Sequence, residues 1–317
     1  MISINKIKRW IRGTPPRGKW TIARRTLQVL ILLGFALQLP LYIYTIKPIF
    51  HGNVTCSMPL EGSLASSRVF CEIPMFDPWA FVELWASAHH VILQTVIGVA
   101  VVVALYSVLG RFFCGWVCPM DLLFSLFEKK LSLPRDSYHM RYHEASIKEK
   151  VVPIISMVVF FLLSVYFSIP FYTTISPIAG TTKLADELVA IAMGLPGAML
   201  GTAVAYATFM LTALVINIVA EKVFKVKRFW CKYVCPVGNL YGFIMNKYSP
   251  FRIKVEDVTK CTKCNLCSMV CPMNIDVYGQ YVARMKDVKD YRCFHCGRCA
   301  EVCPTGVIKL GFRFRNK

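Results

Sequence analysis

Long apolar runs alternate with charged segments along this chain. Residues 26–46, 91–110, 151–172 and 195–220 contain no Asp, Glu, Lys or Arg. A helix rises 1.5 Å per residue, so about twenty such residues cross a hydrocarbon core of about 30 Å. The pattern predicts an α-helical membrane protein with four transmembrane helices. Hydropathy falls after Ser249-Pro250, and residues 246–256 read as a linker into a smaller domain. In that domain only residues 307–314 alternate like a strand. The expected division is a basic segment at 1–25, a four-span domain at 26–250 and a separate domain at 251–317.

Composition agrees with the pattern, since 56% hydrophobic residues over 317 positions is too apolar for a soluble carrier. The 37 Lys and Arg residues set the orientation. Eight precede the first run, seven fall in 111–150 and nineteen lie from 221 onward, against only Lys47, Arg68 and Lys183 in the other two loops. The positive-inside rule then places both termini, the 111–150 loop and the C-terminal domain in the cytoplasm of a multi-pass bacterial inner-membrane protein. The net charge of +19 suits short loops beside anionic lipid and argues against a nucleic-acid partner. Arg24-Arg25 ahead of an apolar run resembles an export signal. The run is too long for one and lacks a small-residue cleavage site, so it reads as an uncleaved anchor.

Two runs near the C-terminus share one spacing: Cys261-x2-Cys264-x2-Cys267-x3-Cys271-Pro272 and Cys293-x2-Cys296-x2-Cys299-x3-Cys303-Pro304. Eight cysteines so spaced are the bacterial signature for two [4Fe–4S] clusters, in which the fourth cysteine of each run crosses to the other cluster. Cys261, Cys264, Cys267 and Cys303 are expected to hold one, and Cys293, Cys296, Cys299 and Cys271 the other. Zinc modules also use paired C-x2-C units, but without a third cysteine and a Cys-Pro in both halves. The chain therefore reads as an electron carrier whose small domain is held largely by metal–thiolate bonds.

The membrane part repeats. Arg111-Phe112-Phe113-Cys114-Gly115-Trp116-Val117-Cys118-Pro119 follows the second run, and Arg228-Phe229-Trp230-Cys231-Lys232-Tyr233-Val234-Cys235-Pro236 follows the fourth. Two spans per unit preserve orientation, which predicts two parallel two-helix repeats with both C-x3-C-P elements at one face. Cys114, Cys118, Cys231 and Cys235 then come close together, to bind a further metal or cluster, to form a redox-active thiol system or to dock the cluster domain. The far loops echo each other more faintly, with Asp77-Pro78 before the second run and Ser176-Pro177 before the fourth. Cys56 and Cys71, in the first of those loops, suit a disulfide in an oxidising compartment. His90, with Glu83 or Gln94 to orient it, is the candidate proton acceptor for a quinol at the outer mouth of the second span. No C-x2-C-H occurs and the other three spans lack histidine, which disfavours haem. His139 and His143 read as a solvated helix face.

These features together resemble the NapH/MauN family of ferredoxin-type membrane subunits. The likeness covers nearly the whole chain, including His51-Gly52-Asn53, Asp77-Pro78, both C-x3-C-P elements, Cys235-Pro236-Val237-Gly238, Leu240-Tyr241-Gly242 and Lys260-Cys261. It implies a quinol dehydrogenase subunit that oxidises menaquinol or ubiquinol. Electrons would pass with a periplasmic ferredoxin-type subunit and a c-type cytochrome towards a periplasmic nitrate reductase. One difficulty comes with that expectation: clusters on the cytoplasmic face do not by themselves serve an acceptor outside. The alternative is a redox accessory protein that matures another metalloenzyme.

Overall fold

The structure, a computed structural model, describes residues 18–41, 60–63, 66–69, 73–88, 93–127, 147–194, 199–224 and 226–313. His89, His90, His139, His143, Cys56 and Cys71 lie outside the described residues.

Helix α1 (Lys19–Leu41) leads to three short antiparallel strands, β1 (Leu60–Ser63), β2 (Ser66–Val69) and β3 (Ile73–Phe76). Helices α2 (Pro78–Ala88) and α3 (Leu93–Leu109) follow. The first C-x3-C-P element is a tight turn of helix, α4 (Phe112–Trp116), running into α5 (Pro119–Phe127). The second half begins with α6 (Ile147–Phe167), continues through α7 (Phe171–Ile175) and α8 (Pro177–Ala192), and returns along α9 (Leu200–Val223). The second C-x3-C-P element is a wide turn at Trp230–Val234 followed by α10 (Pro236–Leu240).

Three of these helices, at Lys19–Leu37, Glu149–Phe167 and Leu200–Val223, are long and apolar enough to cross a membrane. The second expected span becomes α3, of 17 residues, about 26 Å at the helical rise. Leu93, Ile97, Val101 and Leu105 form an exposed apolar row along α3. Their i, i+4 spacing makes one stripe, as a lipid-facing surface requires.

The two far loops do not stay at the far ends of the helices. β3 lies alongside α3, so Asp77 at its end comes level with Tyr106, about 20 Å along α3 from Leu93. In the second half the chain turns at Ser168, which takes a positive φ of 52°, and α7 and the start of α8 fold back into the bundle. Ile178 and Tyr172 are buried there with Phe113, Val237 and Tyr241. The Asp77-Pro78 and Ser176-Pro177 dipeptides thus begin two helices deep in the fold. Pro at the first helical position gives up an N–H that would go unpaired anyway, and the Ser176 side chain caps α8 by accepting from Ile178 N–H.

Residues 246–256 are a packed junction rather than the expected linker. Asn246 and Ser249 are buried. β4 (Phe251–Val255) pairs with β5 (Ile308–Phe312), the strand expected at 307–314. The inward residues of both strands join a core with Met273, Ile275, Val277, Val282, Val288 and Phe294. That core does not end at the domain boundary, because Trp116 of the first C-x3-C-P element is buried in it.

Candidate iron–sulfur and thiol sites

Two cavities sit within the C-terminal domain. One, of about 370 Å³, is lined by Cys271, Cys293, Cys296 and Cys299; the other, of about 330 Å³, by Cys261, Cys264, Cys267 and Cys303. Cys271 of the first run thus lines a cavity with the second run's cysteines, and Cys303 of the second lines one with the first's. Short helices carry the second half of each run, Leu266–Met269 and Arg298–Val302, and each is preceded by a residue in the left-handed region, Asn265 and Gly297. That reversal brings the middle cysteines round to face the same cavity as the first.

The donor set suits iron–sulfur clusters. Burial pushes the Cys271 thiol up to about 11 and the Cys267 thiol up to about 12, and it raises Cys293 and Cys299 as well. A thiol that resists ionisation in an apolar cavity becomes a thiolate when a metal takes the place of its proton. Peptide N–H groups already point at the sulfurs: Met273 and Ile275 donate to Cys271, and Thr305, Val307 and Ile308 to Cys303. Among the described residues no three His, Cys, Asp or Glu side chains stand close enough to hold a single ion.

The four cysteines of the C-x3-C-P elements also converge. Each of Cys114, Cys118, Cys231 and Cys235 lies within electrostatic reach of the other three. Cys118 and Cys235 are buried, while Cys114 and Cys231 are half-buried, packed against both the membrane core and the cluster-domain core. Arg111 closes the arrangement, its Nη2 donating to the Cys231 carbonyl at 2.6 Å and its Nη1 to the Tyr291 carbonyl at 3.2 Å. An ion cluster holds the two halves together nearby: Asp121 meets Arg25 at 2.8 Å, Arg228 at 3.1 Å and Arg24 at 3.8 Å.

The cluster domain docks directly on this quartet. A Cβ on Gly115 would stand 2.5 Å from the Phe294 carbonyl oxygen, so only glycine allows the Cys293–Cys296 loop to lie against the Cys114–Cys118 turn. Trp116 Nε1 donates to the His295 carbonyl at 3.0 Å, and Asn246 Nδ2 to the Cys293 carbonyl at 2.6 Å. Burial pushes His295 down to about 4. Its neutral ring sits with Nδ1 3.2 Å from the Leu109 carbonyl at the end of α3. On the other side of the quartet, the Tyr172 hydroxyl donates to Cys235 Sγ at 3.2 Å and the Tyr241 hydroxyl to Asp77 Oδ1 at 2.7 Å. Asp77, Tyr172 and Ser176 line a small pocket with Phe113 and Val237. Sequence reasoning missed Asp77 and Tyr172 as neighbours of the thiols. The paired Asp-Pro and Ser-Pro dipeptides were the only signal for them.

Glu83 is fully buried, but its carboxylate serves the fold. Oε1 accepts from Tyr172 N–H at 2.8 Å and Oε2 from Thr173 N–H at 2.9 Å, capping α7, while the Ser164 and Thr173 hydroxyls also donate to it. It lies in α2, and Gln94 lies in α3.

Comparison with known proteins bears on both sites. One family model, described as a 4Fe-4S binding domain, matches residues 92–134 and again 202–254, one stretch per half; a second, a 4Fe-4S dicluster domain, matches 253–304. The chain is 24% identical over 263 residues to the methylamine utilization ferredoxin-type protein MauN of Methylobacillus flagellatus, covering 83% of this chain and 79% of that one. It is 29% identical over 217 residues to the ferredoxin-type protein NapH of Haemophilus influenzae (67% and 66% covered). Against NapH of Escherichia coli the identity is 25% over 264 residues (80% and 75% covered). No solved structure matches.

Proposed function

Because the chain belongs to the NapH/MauN family of ferredoxin-type proteins, we propose that it is a quinol-oxidising subunit of a membrane electron-transfer chain. An iron–sulfur electron-transfer role is common ground with those relatives. The finer reading is ours. Two [4Fe–4S] clusters occupy the crossed cysteine quartets of the C-terminal domain in the cytoplasm, four spans form two parallel repeats, and menaquinol or ubiquinol is the donor. A ferredoxin-type subunit and a c-type cytochrome carry electrons onward, to a periplasmic nitrate reductase where the partners are those of the NapH relatives.

The observation that carries this reading is the position of the C-x3-C-P elements. They touch the Cys293–Cys296 loop through Gly115 and Trp116, and they touch the re-entrant loops through Tyr172 and Asp77. Packed protein thus joins a cluster ligand loop to the segments that the charge distribution assigns to the opposite face. The chain's own residues would orient the quinol headgroup and take its protons: His90, with Glu83 or Gln94 to orient it, is one candidate acceptor. Asp77, in a small pocket with Tyr172 and Ser176, is another, with one carboxylate oxygen held by Tyr241 and the other without a hydrogen-bond partner.

The test is reduction of the clusters in the purified full chain by a short-chain menaquinol or ubiquinol, followed by electron paramagnetic resonance. Reduction is expected. In Cys118→Ser and in Cys235→Ser it is lost while the C-terminal clusters keep their dithionite-reduced spectra. Clusters that dithionite reduces and no quinol does would overturn the quinol reading in favour of an accessory redox role.

A further inference from the structure

We propose that Cys114, Cys118, Cys231 and Cys235 together hold one more iron–sulfur cluster, shared between the two halves of the membrane domain. The description of the matching family names a cluster type but no ligands. What assigns the site to these four residues jointly is geometry.

Convergence comes first: two thiols from each repeat lie within reach of one another at the seam between the two cores. The local backbone is the second observation. In the ferredoxin quartets the cysteine before proline receives peptide N–H groups on its sulfur, Met273 N–H on Cys271 and Thr305 N–H on Cys303. The same arrangement recurs at the membrane, where Met120 N–H points at Cys118 and Gly238 N–H lies 3.5 Å from Cys235 Sγ. These N–H groups belong to the first turns of the helices that follow each Cys-Pro, and they stabilise negative charge on a cysteine sulfur.

The third observation is Arg111. It is fully buried, its Nε has no hydrogen-bond partner, and among the described residues no carboxylate pairs with it. Its side chain donates to the Cys231 and Tyr291 carbonyls and to the Cys114 sulfur, all of them neutral or uncharged groups unless the thiol ionises. A buried guanidinium without an anion is costly. An oxidised cluster with four thiolate ligands carries a net charge of about −2 and supplies that anion. A Cβ on Gly238 would stand 3.2 Å from Cys114 Sγ and 2.8 Å from Arg111 Nη2, so the glycine is what lets the second half approach the first half's ligand.

The site does not depend on quinol being the donor. The experiment is iron and acid-labile sulfide analysis of the full-length protein purified without oxygen in detergent, with iodoacetamide labelling before and after iron chelation. The two ferredoxin quartets account for about eight iron atoms. We expect about ten to twelve per chain, with all four C-x3-C-P cysteines protected from alkylation until iron is removed. Cys118→Ser should lose about two to four iron atoms and keep the ferredoxin signals, while Cys264→Ser should keep the protection of the membrane quartet. If Cys118→Ser does not accumulate, the wild-type iron count and alkylation pattern still decide. About eight iron atoms with the four thiols freely alkylated, disulfide-linked or bound to zinc would overturn this site and leave the ferredoxin reading intact.

Discussion

Asp121 shows how much a single side chain can carry here. It is buried, and three arginines from two distant parts of the sequence converge on it: Arg24 and Arg25 from α1, and Arg228 from the second C-x3-C-P element. Removing one partner of a buried ion cluster strands the others, at a cost of about 3–5 kcal/mol. Asp121→Ala should therefore lower thermal stability in detergent by that order, read by tryptophan fluorescence. A change below about 1 kcal/mol would mean that the cluster is solvated. Gly115 makes a second case. Gly115→Ala forces a methyl group against the Phe294 carbonyl, an overpacking cost of about 1–3 kcal/mol. It should slow electron exchange between the membrane domain and the clusters without lowering iron content; unchanged quinol-driven reduction would show that the loop shifts freely. These two residues were unequally legible in sequence. Gly115 stood inside a conspicuous motif, whereas nothing marked Asp121, since an acid in a mixed helix is usually solvated.

At the scale of elements, the α7 and α8 segment shows how a loop is held inside the bundle. Its first turn is capped by Glu83, its side chain Tyr172 reaches Cys235, and α8 packs on α1 and α9. Glu83→Ala would leave buried N–H groups unpaired at about 1–3 kcal/mol. We expect reduced stability and protein level with an unaltered pH profile of quinol oxidation in the protein that remains. A shifted profile with normal stability would return Glu83 to proton handling. Topology is tested with reporters: fusions within 125–145 or after 250 should report cytoplasm, and fusions within 55–70 or 180–190 the periplasm. A periplasmic C-terminus would contradict both the charge argument and cluster loading from a reducing compartment.

For the molecule as a whole, the cluster domain and the membrane domain share one folded body. Trp116 sits in the cluster-domain core. Glu301 accepts from Thr21 N–H at 2.7 Å at the start of α1, and Arg292 pairs with Glu149 at the start of α6 at 3.3 Å. The C-terminal core is small and lined with cysteine, so metal binding supplies much of its stability. Chelating the iron should make residues 257–313 sensitive to protease while α6 and α9 stay protected. Resistance of the stripped domain would mean that docking alone holds it together. A rigid mount also suits electron transfer, because it fixes the separation between the Cys293–Cys296 loop and the membrane thiols.

The reach of sequence here follows from how local each property is. The cysteine quartets could be proposed directly, since ligand spacing along a few residues limits which cysteines can wrap one cluster, and the same cysteines line the two cavities. Runs without charge marked apolar helices, three of them long enough to cross a membrane, and residues 307–314 marked β5, because periodicity belongs to a single element. The likeness of the two C-x3-C-P elements was equally visible. Tertiary structure decided what those elements meet. Asp77 against Tyr241, Tyr172 against Cys235 and Gly115 against Phe294 join positions far apart in the chain, and no local pattern records them. The re-entry of the far loops and the burial of the supposed linker at 246–256 belong to the same class. Both depend on polar groups finding partners inside the bundle, and only the folded chain determines which groups those are.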